Sequence, residues 1–162
     1  MIELQGSPGG CGYRFAIVVS HFNDEVTGGL LRGAVRTLGE AAVRDEDITV
    51  LHVPGAFEIP LAARHAAATG RFDAIICLGC VIKGETMHFE YIAGAATQGI
   101  AAAAAETGVP MAFGVLTALT DAQALARAGD NPDNKGREAA LAAVEMATLL
   151  RQVAHLRGEA RT

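Results

Sequence analysis

The 162-residue chain is 51% hydrophobic and carries 13 Lys and Arg against 18 Asp and Glu, a formal net charge of −5. This length fits one domain with an ordinary core, and the acidic balance excludes the basic surface that binds nucleic acid or anionic lipid. No apolar run reaches the roughly 20 residues that cross a bilayer, and the first residues lack a basic segment followed by an apolar one. We therefore expect a cytoplasmic protein without a membrane partner.

The N-terminal segment, residues 1–13, is rich in glycine and is expected to be a flexible arm. It is either a disordered tail or a segment that pairs with a neighbouring subunit. A single domain is predicted over residues 14–157, since no linker or internal repeat divides it. Residues 158–162 are expected to form a C-terminal tail.

Apolar, β-rich runs alternate with segments of helical spacing along the rest of the chain. The predicted strands are Phe15–Ser20, Ile48–Val53, Ala74–Ile82 and residues 111–116. The predicted helices are one with Asn23 or Asp24 as N-cap that closes at Gly39, then 56–69, 87–106, 121–128 with Thr120 or Asp121 as cap, and 135–156. Short links between strand and helix indicate right-handed crossovers. The pattern predicts an α/β fold, a three-layer αβα sandwich with a four-stranded parallel sheet and helices on both faces.

The three cysteines are Cys11, Cys77 and Cys80. Two of them fall inside the third apolar run, which indicates buried, reduced thiols. Cys77-x-x-Cys80 is also the spacing of half a zinc site or of a redox pair. A zinc site would need a second pair, and a redox motif usually opens a helix, so both alternatives are less favoured.

Groups suited to ligand binding follow the carboxyl ends of the predicted strands. Because these ends meet at one edge of a parallel sheet, we expect the groups to lie together there. They are His21 and Phe22, then Gly55 to Glu58, then Val81 to His88, and around the fourth strand Phe113, Arg127 and Lys135. The edge should therefore combine an aromatic ring, a carboxylate, a tight turn and an imidazole.

Each of these residues also has a structural interpretation. Phe22 is either a core residue or an exposed ring that stacks on a flat heterocycle. Glu58 either complements a helix dipole or accepts hydrogen bonds from sugar hydroxyls. Arg127 and Lys135, taken singly, read as surface charges.

The turn that precedes the third helix is a candidate anion site. Gly84, Glu85 and Thr86 either cap that helix or present the backbone N–H groups of residues 85 and 86 and the Thr86 hydroxyl to a phosphate. His88 is either structural or, beside a bound phosphate, poised for proton transfer.

Several other classes of site find no support in the sequence. No Ser or Cys nucleophile stands with a base, no dinucleotide or Walker glycine pattern occurs, and the five histidines show no metal-ligand spacing. We expect neither a metal nor a cofactor.

Four ordered motifs carry a resemblance to a known family. They are HFND at 21–24, VPGAFEIP at 53–60, GCVIKGETMHFEYI at 79–92 and NKG at 134–136. Together they resemble the lumazine synthase (6,7-dimethyl-8-ribityllumazine synthase) family from about Phe15 to Leu150. The resemblance implies a flavodoxin-like sandwich that assembles as homopentamers with active sites between adjacent subunits.

The resemblance also implies a reaction and residue roles. The enzyme, a transferase of riboflavin biosynthesis, would condense 5-amino-6-(D-ribitylamino)uracil with 3,4-dihydroxy-2-butanone 4-phosphate and release phosphate and water. The implied roles are stacking on the pyrimidine by Phe22, contacts to the uracil and ribityl groups by Ala56, Phe57, Glu58, Cys80, Val81 and Ile82, phosphate binding by Gly84, Glu85 and Thr86, proton transfer by His88, and a neighbour's contribution from Phe113, Arg127 and Lys135, with Arg127 on the phosphate. Riboflavin synthase is an implied candidate partner.

Two alternatives and the assembly stay open at this point. The chain could be a non-catalytic flavin or lumazine binder on the same scaffold. A flavin mononucleotide electron carrier would need a Ser/Thr/Gly-rich loop where the chain reads HFND. Pentamer, decamer and sixty-subunit shell are all compatible, although Asp133 replaces a glycine found in many shell-forming members and favours slightly the smaller assemblies.

Overall fold

The computed structural model describes residues 1–159, which contain four strands and five α-helices. The strands are β1 (Phe15–Ser20), β2 (Ile48–Val53), β3 (Ala74–Ile82) and β4 (Met111–Ala118). The helices are α1 (Asp24–Glu40), α2 (Ile59–Ala68), α3 (His88–Thr107), α4 (Asp121–Ala126) and α5 (Lys135–Glu159). The first three predicted strands are confirmed to the residue, and β4 is two residues longer than predicted.

All strand pairs are parallel and the strand order is β2-β1-β3-β4. Phe15 at the start of β1 pairs with Ile48 of β2 on one side and with Ala74 of β3 on the other. This is the order of flavodoxin-like folds, in which the direction of winding reverses between β1 and β3. The predicted α/β class is thereby confirmed, and the reversal leaves a crevice at the carboxyl ends of these two strands.

Two apolar clusters cover the two faces of the sheet. The first packs α1, α4 and α5 against one face, and the second packs α2 and α3 against the other. Every residue of β1 is buried, as expected for a central strand covered on both sides. This arrangement explains why β1 and β3 read as unbroken apolar runs.

The N-terminal arm packs along the last helix, α5. The backbone N–H of Ser7 donates to Thr148 Oγ1 at 2.8 Å, and Gln152 Nε2 donates to the Gln5 carbonyl at 2.8 Å. Arg151 lies over the ring of Tyr13, 3.5 Å from its centroid. These contacts supply local support for the arm, while its flexibility and its pairing with a neighbour stay predictions.

The last helix is longer than predicted. Helix α5 continues through Glu159, beyond the predicted end at 156, so it includes the first two residues of the predicted tail. The rest of that tail, 160–162, lies outside the described residues. Within residues 1–159 no helix is long and apolar enough to cross a membrane.

The helix starts refine the predictions. Thr120 is confirmed as a cap, because its Oγ1 accepts from the Gln123 N–H at 3.2 Å. The predicted helix from residue 56 begins as a 3-10 turn, Ala56–Glu58, and becomes α-helical at Ile59. Asn23 is confirmed as the N-cap residue of α1, although its side chain makes no hydrogen bond to the helix.

The close contact between α1 and α5 requires glycine at residue 136. A Cβ atom built there would overlap the backbone carbonyl of Leu30, which cannot move away as a flexible side chain would. At Gly28, on the same helix as Leu30, a Cβ would meet only the end of the Arg32 side chain, at 3.3 Å. The two positions therefore form a matched pair.

We expect Gly136→Ala to lower the free energy of unfolding by about 2 kcal/mol, the usual cost of overpacking. Gly28→Ala should instead raise it by up to about 1 kcal/mol, because alanine is the better helix former. Urea denaturation followed by circular dichroism measures both. Equal stability of the two variants would contradict the close packing of α1 on α5.

Candidate active site

A cleft of about 500 Å³ opens at the carboxyl ends of β1 and β3, between the starts of α2 and α3. Residues from four loops and helix starts line it. They are Phe22, Gly55, Ala56, Phe57, Glu58, Cys80, Val81, Ile82, Gly84, Thr86, His88, Phe89 and Ile92. Ten of the fourteen predicted site residues are among them, so segments far apart in the chain do meet at this edge.

Phe22 presents an aromatic ring at the mouth of the cleft. The side chain is 70% exposed, so the interpretation as a core residue is wrong. Its backbone N–H donates to the Pro54 carbonyl at 3.1 Å, and the N–H of His21 donates to the Val53 carbonyl at 2.8 Å. The end of β2 thus fixes the backbone beneath an exposed ring, which suits stacking on a flat ligand.

Glu58 also lines the cleft and is held by its own turn. Its Oε2 accepts a hydrogen bond from the backbone N–H of Gly55 at 3.0 Å. The Glu58 N–H in turn donates to the Gly55 carbonyl at 3.3 Å, and the pair of bonds orients the carboxylate, whose lone pairs exceed what one N–H can use. Ala56 forms a buried floor beside it, while the ring of Phe57 is 60% exposed. A carboxylate so placed can accept hydroxyl groups of a polyol.

The two cysteines of β3 are both buried. Burial raises the pKa of the Cys77 thiol to about 12. Burial, with a smaller contribution from the charge of Asp121, raises the pKa of the Cys80 thiol to about 11. Cys77 packs in the cluster with α2 and α3, whereas Cys80 packs in the cluster on the other face. The two thiols cannot act together, so the zinc and redox alternatives are wrong.

The turn between β3 and α3 lies at the cleft and bonds to the start of the helix through Thr86, while its use as an anion site stays a prediction. Thr86 Oγ1 accepts the backbone N–H of His88 in a long hydrogen bond of 3.4 Å. Helix α3 is 20 residues long and begins at His88, so its free N–H groups and the positive end of its dipole face this turn. Gly84 and Thr86 line the cleft, and the side chain of His88 joins them.

Four predicted residues do not line the cleft of this chain: Glu85, Phe113, Arg127 and Lys135. The expectation that Phe113 lies at the carboxyl edge is wrong, because it pairs with Cys77 in the amino-terminal half of β4. Lys135 and Arg127 are brought together, since the Lys135 N–H donates to the Arg127 carbonyl at 2.9 Å. The Lys135 ammonium group bonds to Glu138 at 2.7 Å.

Phe89 and Ile92 were missed by the sequence analysis and form an apolar wall of the cleft. The signal was present in the helical spacing. Residues 88 and 92 are one turn apart, so the face that presents His88 also presents Ile92. Phe89 and Ile92 both lie in the first two turns of α3, the part of the helix nearest the cleft.

The cleft is almost neutral. Among the described residues that line it, none is Lys or Arg, and the carboxylate of Glu58 is the one formal charge when His88 is neutral. Within residues 1–159 no group of three or more His, Cys, Asp and Glu side chains is arranged to hold a metal ion. The described lining therefore offers a ring, a carboxylate, a helix start and an imidazole, but no Lys or Arg to neutralise a phosphate.

Comparisons with known proteins agree with this geometry. The sequence profile of the family described as 6,7-dimethyl-8-ribityllumazine synthase matches residues 12–151. A relative of that name from Salinibacter ruber (strain DSM 13855 / M31) is 53% identical over 139 residues, which cover 86% of this chain and 89% of the relative. Another of that name, from Syntrophus aciditrophicus (strain SB), is 51% identical over 142 residues, covering 88% and 92% respectively.

The fold and the cleft define a doubly wound α/β protein with its ligand site at the point where the winding reverses. The sequence comparisons specify the family. The chain belongs to the 6,7-dimethyl-8-ribityllumazine synthase family, transferases of riboflavin biosynthesis, and the resemblance seen in the four motifs is confirmed.

The burial of two thiols predicts unequal cysteine reactivity. Cys11 is exposed, whereas Cys77 and Cys80 are buried and their pKa values lie well above the usual range. We expect Ellman's reagent at pH 8 to label Cys11 rapidly in the native protein and the other two only after denaturation, because the thiolate is the reactive form. Cys11→Ser should abolish the rapid phase. Rapid labelling that persists in this variant would contradict the burial of the β3 thiols.

Proposed function

We propose that the cleft is the catalytic site of a 6,7-dimethyl-8-ribityllumazine synthase. The reaction joins 5-amino-6-(D-ribitylamino)uracil to 3,4-dihydroxy-2-butanone 4-phosphate. The single observation that carries the proposal is the convergence of Phe22, Glu58, the turn at Gly84–Thr86 and His88 on one cleft. The matched family and both relatives bear the name of a synthase, so the alternative of a non-catalytic binder gains no support.

The substrates fit the chemistry of the walls. The pyrimidine stacks on Phe22, and the ribityl hydroxyls donate to the free lone pairs of the Glu58 carboxylate. Uracil edges meet the backbone of residues 80–82. The phosphate of the second substrate accepts from the N–H groups of Glu85 and Thr86 and from the Thr86 hydroxyl, at the start of α3.

The reaction needs little from the protein beyond position and proton transfer. The 5-amino group attacks the ketone, and loss of water gives an imine. Loss of phosphate and tautomerisation leave a carbonyl, which the ribityl-bearing nitrogen attacks to close the ring with loss of a second water. Both substrates bring their own nucleophiles and leaving group, so orientation should be the largest contribution and His88 a smaller one, as proton donor and acceptor.

We further propose that a neighbouring subunit completes the site. A cation strengthens the binding of a phosphate, and the described lining of the cleft contains no Lys or Arg. Arg127 and Lys135 lie together elsewhere on the chain, and the ring of Phe113 is 47% exposed on the edge strand. A second copy can bring these three residues to the cleft, with Arg127 on the phosphate.

The surface supports such an assembly. The family acts on small molecules and assembles as oligomers. Among the surfaces with exposed large apolar side chains, one lies beside the cleft and another runs from β4 through its connection into α4. The side chains are Phe57, Leu61, Met87 and Tyr91 on the first surface, and Phe113, Leu119 and Leu125 on the second. Contact between two different surfaces generates a ring when the rotation between copies closes, and we propose the pentamer that the family resemblance implies. We also propose a cytoplasmic location and riboflavin synthase as the partner that consumes the product.

Mixing the purified protein with both substrates should produce lumazine, detected by its absorbance and fluorescence. His88→Ala should lower kcat by about a hundredfold while assembly is unchanged, since acid–base catalysis typically contributes that much. His65→Ala, on the exposed surface of α2, is the control and should behave as the parent. No product from the assembled parent would reject the enzyme, and loss of more than about four orders of magnitude in His88→Ala would mean its role is wrong.

Arg127→Ala should raise the Michaelis constant for the phosphorylated ketone by about ten- to a hundredfold, the value of one charge-assisted contact. The Michaelis constant for the uracil should change little, because it binds at Phe22. Arg71→Ala provides a matched loss of one exposed guanidinium, at the amino end of β3. If Arg127→Ala and Arg71→Ala gave the same kinetic constants, Arg127 would not bind the phosphate.

A further inference from the structure

Asn23 lies between the exposed ring of Phe22 and helix α1 in an unusual backbone conformation. Its φ of 61° and ψ of 51° place it in the left-handed region. Residues other than glycine rarely adopt this region, although asparagine does so more readily than most. Among residues 1–159 the other non-glycine residue with a positive φ is Ala42, after the end of α1. The conformation of Asn23 turns the chain from the loop into the helix.

The side chain of Asn23 does not cap the helix that it precedes. Its Nδ2 donates instead to the carbonyl oxygen of Cys80, 57 residues further along the chain, at 2.9 Å. Its own carbonyl accepts the N–H groups of Val26 and Thr27 at 3.0 and 2.9 Å. One residue therefore joins the first turn of α1 to the carboxyl end of β3, across the crevice between β1 and β3.

Two residues that line the cleft lie at or next to the ends of this hydrogen bond. Phe22 precedes Asn23 directly, and Cys80 carries the acceptor oxygen. Phe22 is already bound to the β2 side through Pro54. With Asn23 bound on the β3 side, the loop that carries the ring is fixed from two directions, although the ring itself is mostly exposed.

We propose that Asn23 is a positioning residue, which sets the distance between the ring of Phe22 and the end of β3 and so determines the affinity for the ribitylaminouracil. The proposal rests on the proposed function. A planar ligand gains from a ring that is fixed before binding, because a mobile ring would have to be ordered in the complex. The phosphate turn at Gly84–Thr86 contains neither end of this bond, so the phosphorylated ketone should be affected little.

Two variants separate the bond from the backbone conformation. Asn23→Asp is isosteric and tolerates the left-handed region, but its carboxylate has no N–H to donate to Cys80. Asn23→Gly adopts the same backbone without strain and lacks the side chain. Thr37→Val is the matched control, since it removes the bond from Thr37 Oγ1 to the Gly33 carbonyl (2.9 Å) elsewhere in α1.

In both Asn23 variants we expect the Michaelis constant for the uracil and the Kd for the lumazine product, measured by its fluorescence, to rise about five- to tenfold, the value of one hydrogen bond to a neutral acceptor. The Michaelis constant for the phosphorylated ketone should stay within about twofold of the parent, since no contact of that substrate depends on the bond. Thr37→Val should lose about as much stability as the Asn23 variants do, because it also removes one hydrogen bond, and it should keep both Michaelis constants and the lumazine Kd.

An unchanged uracil constant and lumazine Kd in Asn23→Gly would overturn the proposal. Equal increases for both substrates, or a loss of stability alone as in Thr37→Val, would show a purely structural role and overturn it as well. If the parent makes no lumazine, the proposed function fails, whereas the lumazine Kd of the variants relative to the parent still decides the role of Asn23. If Asn23→Asp does not assemble, Asn23→Gly gives the same measurement.

Discussion

The pairing of β1 with β3 at the centre of the sheet determines where this protein can bind a ligand. Because β2 lies on the other side of β1, the chain leaves β1 towards one edge of the sheet and leaves β3 towards the other. The segments that follow the two strands therefore separate, and a crevice opens between them. Phe22 extends from one side of this crevice and residues 80–86 from the other. Helices α2 and α3 close it on one face of the sheet.

The cleft illustrates catalysis by placement. Burial raises the pKa of the Cys80 thiol that lines it, and its described lining in this chain carries no Lys or Arg. What it does carry is arranged: the Glu58 carboxylate is oriented by the Gly55 N–H, the turn at Thr86 by the start of α3, and the loop of Phe22 by bonds to two strands. The absence of Lys and Arg from this described lining is the reason for our proposal that another copy of the chain supplies a cation to the phosphate.

Much of the fold could be predicted from the sequence because burial on both faces leaves a direct trace. The run at Ala74–Ile82 is apolar throughout and that at Phe15–Ser20 is apolar up to Val19, and turn residues follow both, so their limits were recovered to the residue. The same reasoning placed Phe22, Glu58 and His88 at one edge, since parallel strands end together. Most of the cleft lining follows from that single topological rule.

The parts that were not predicted depend on geometry that local patterns do not contain. Asparagine is a residue type that favours helix caps, yet the side-chain amide of Asn23 donates to the carbonyl of a residue 57 positions away. Only the folded sheet brings that carbonyl near. Phe113 was predicted to lie at the carboxyl edge because it belongs to the fourth strand. In the sheet it pairs with Cys77, in the amino-terminal half of that strand. The assignment of Phe113, Arg127 and Lys135 to a neighbour's cleft came from the family resemblance and stays a proposal.

The most direct test of the central claim is a crystal structure of the protein with the lumazine product and inorganic phosphate. We expect the bicyclic ring against Phe22, ribityl hydroxyls on Glu58, and phosphate at the backbone N–H groups of Glu85 and Thr86 with a guanidinium from an adjacent subunit. Lumazine bound anywhere other than the crevice between β1 and β3 would contradict it.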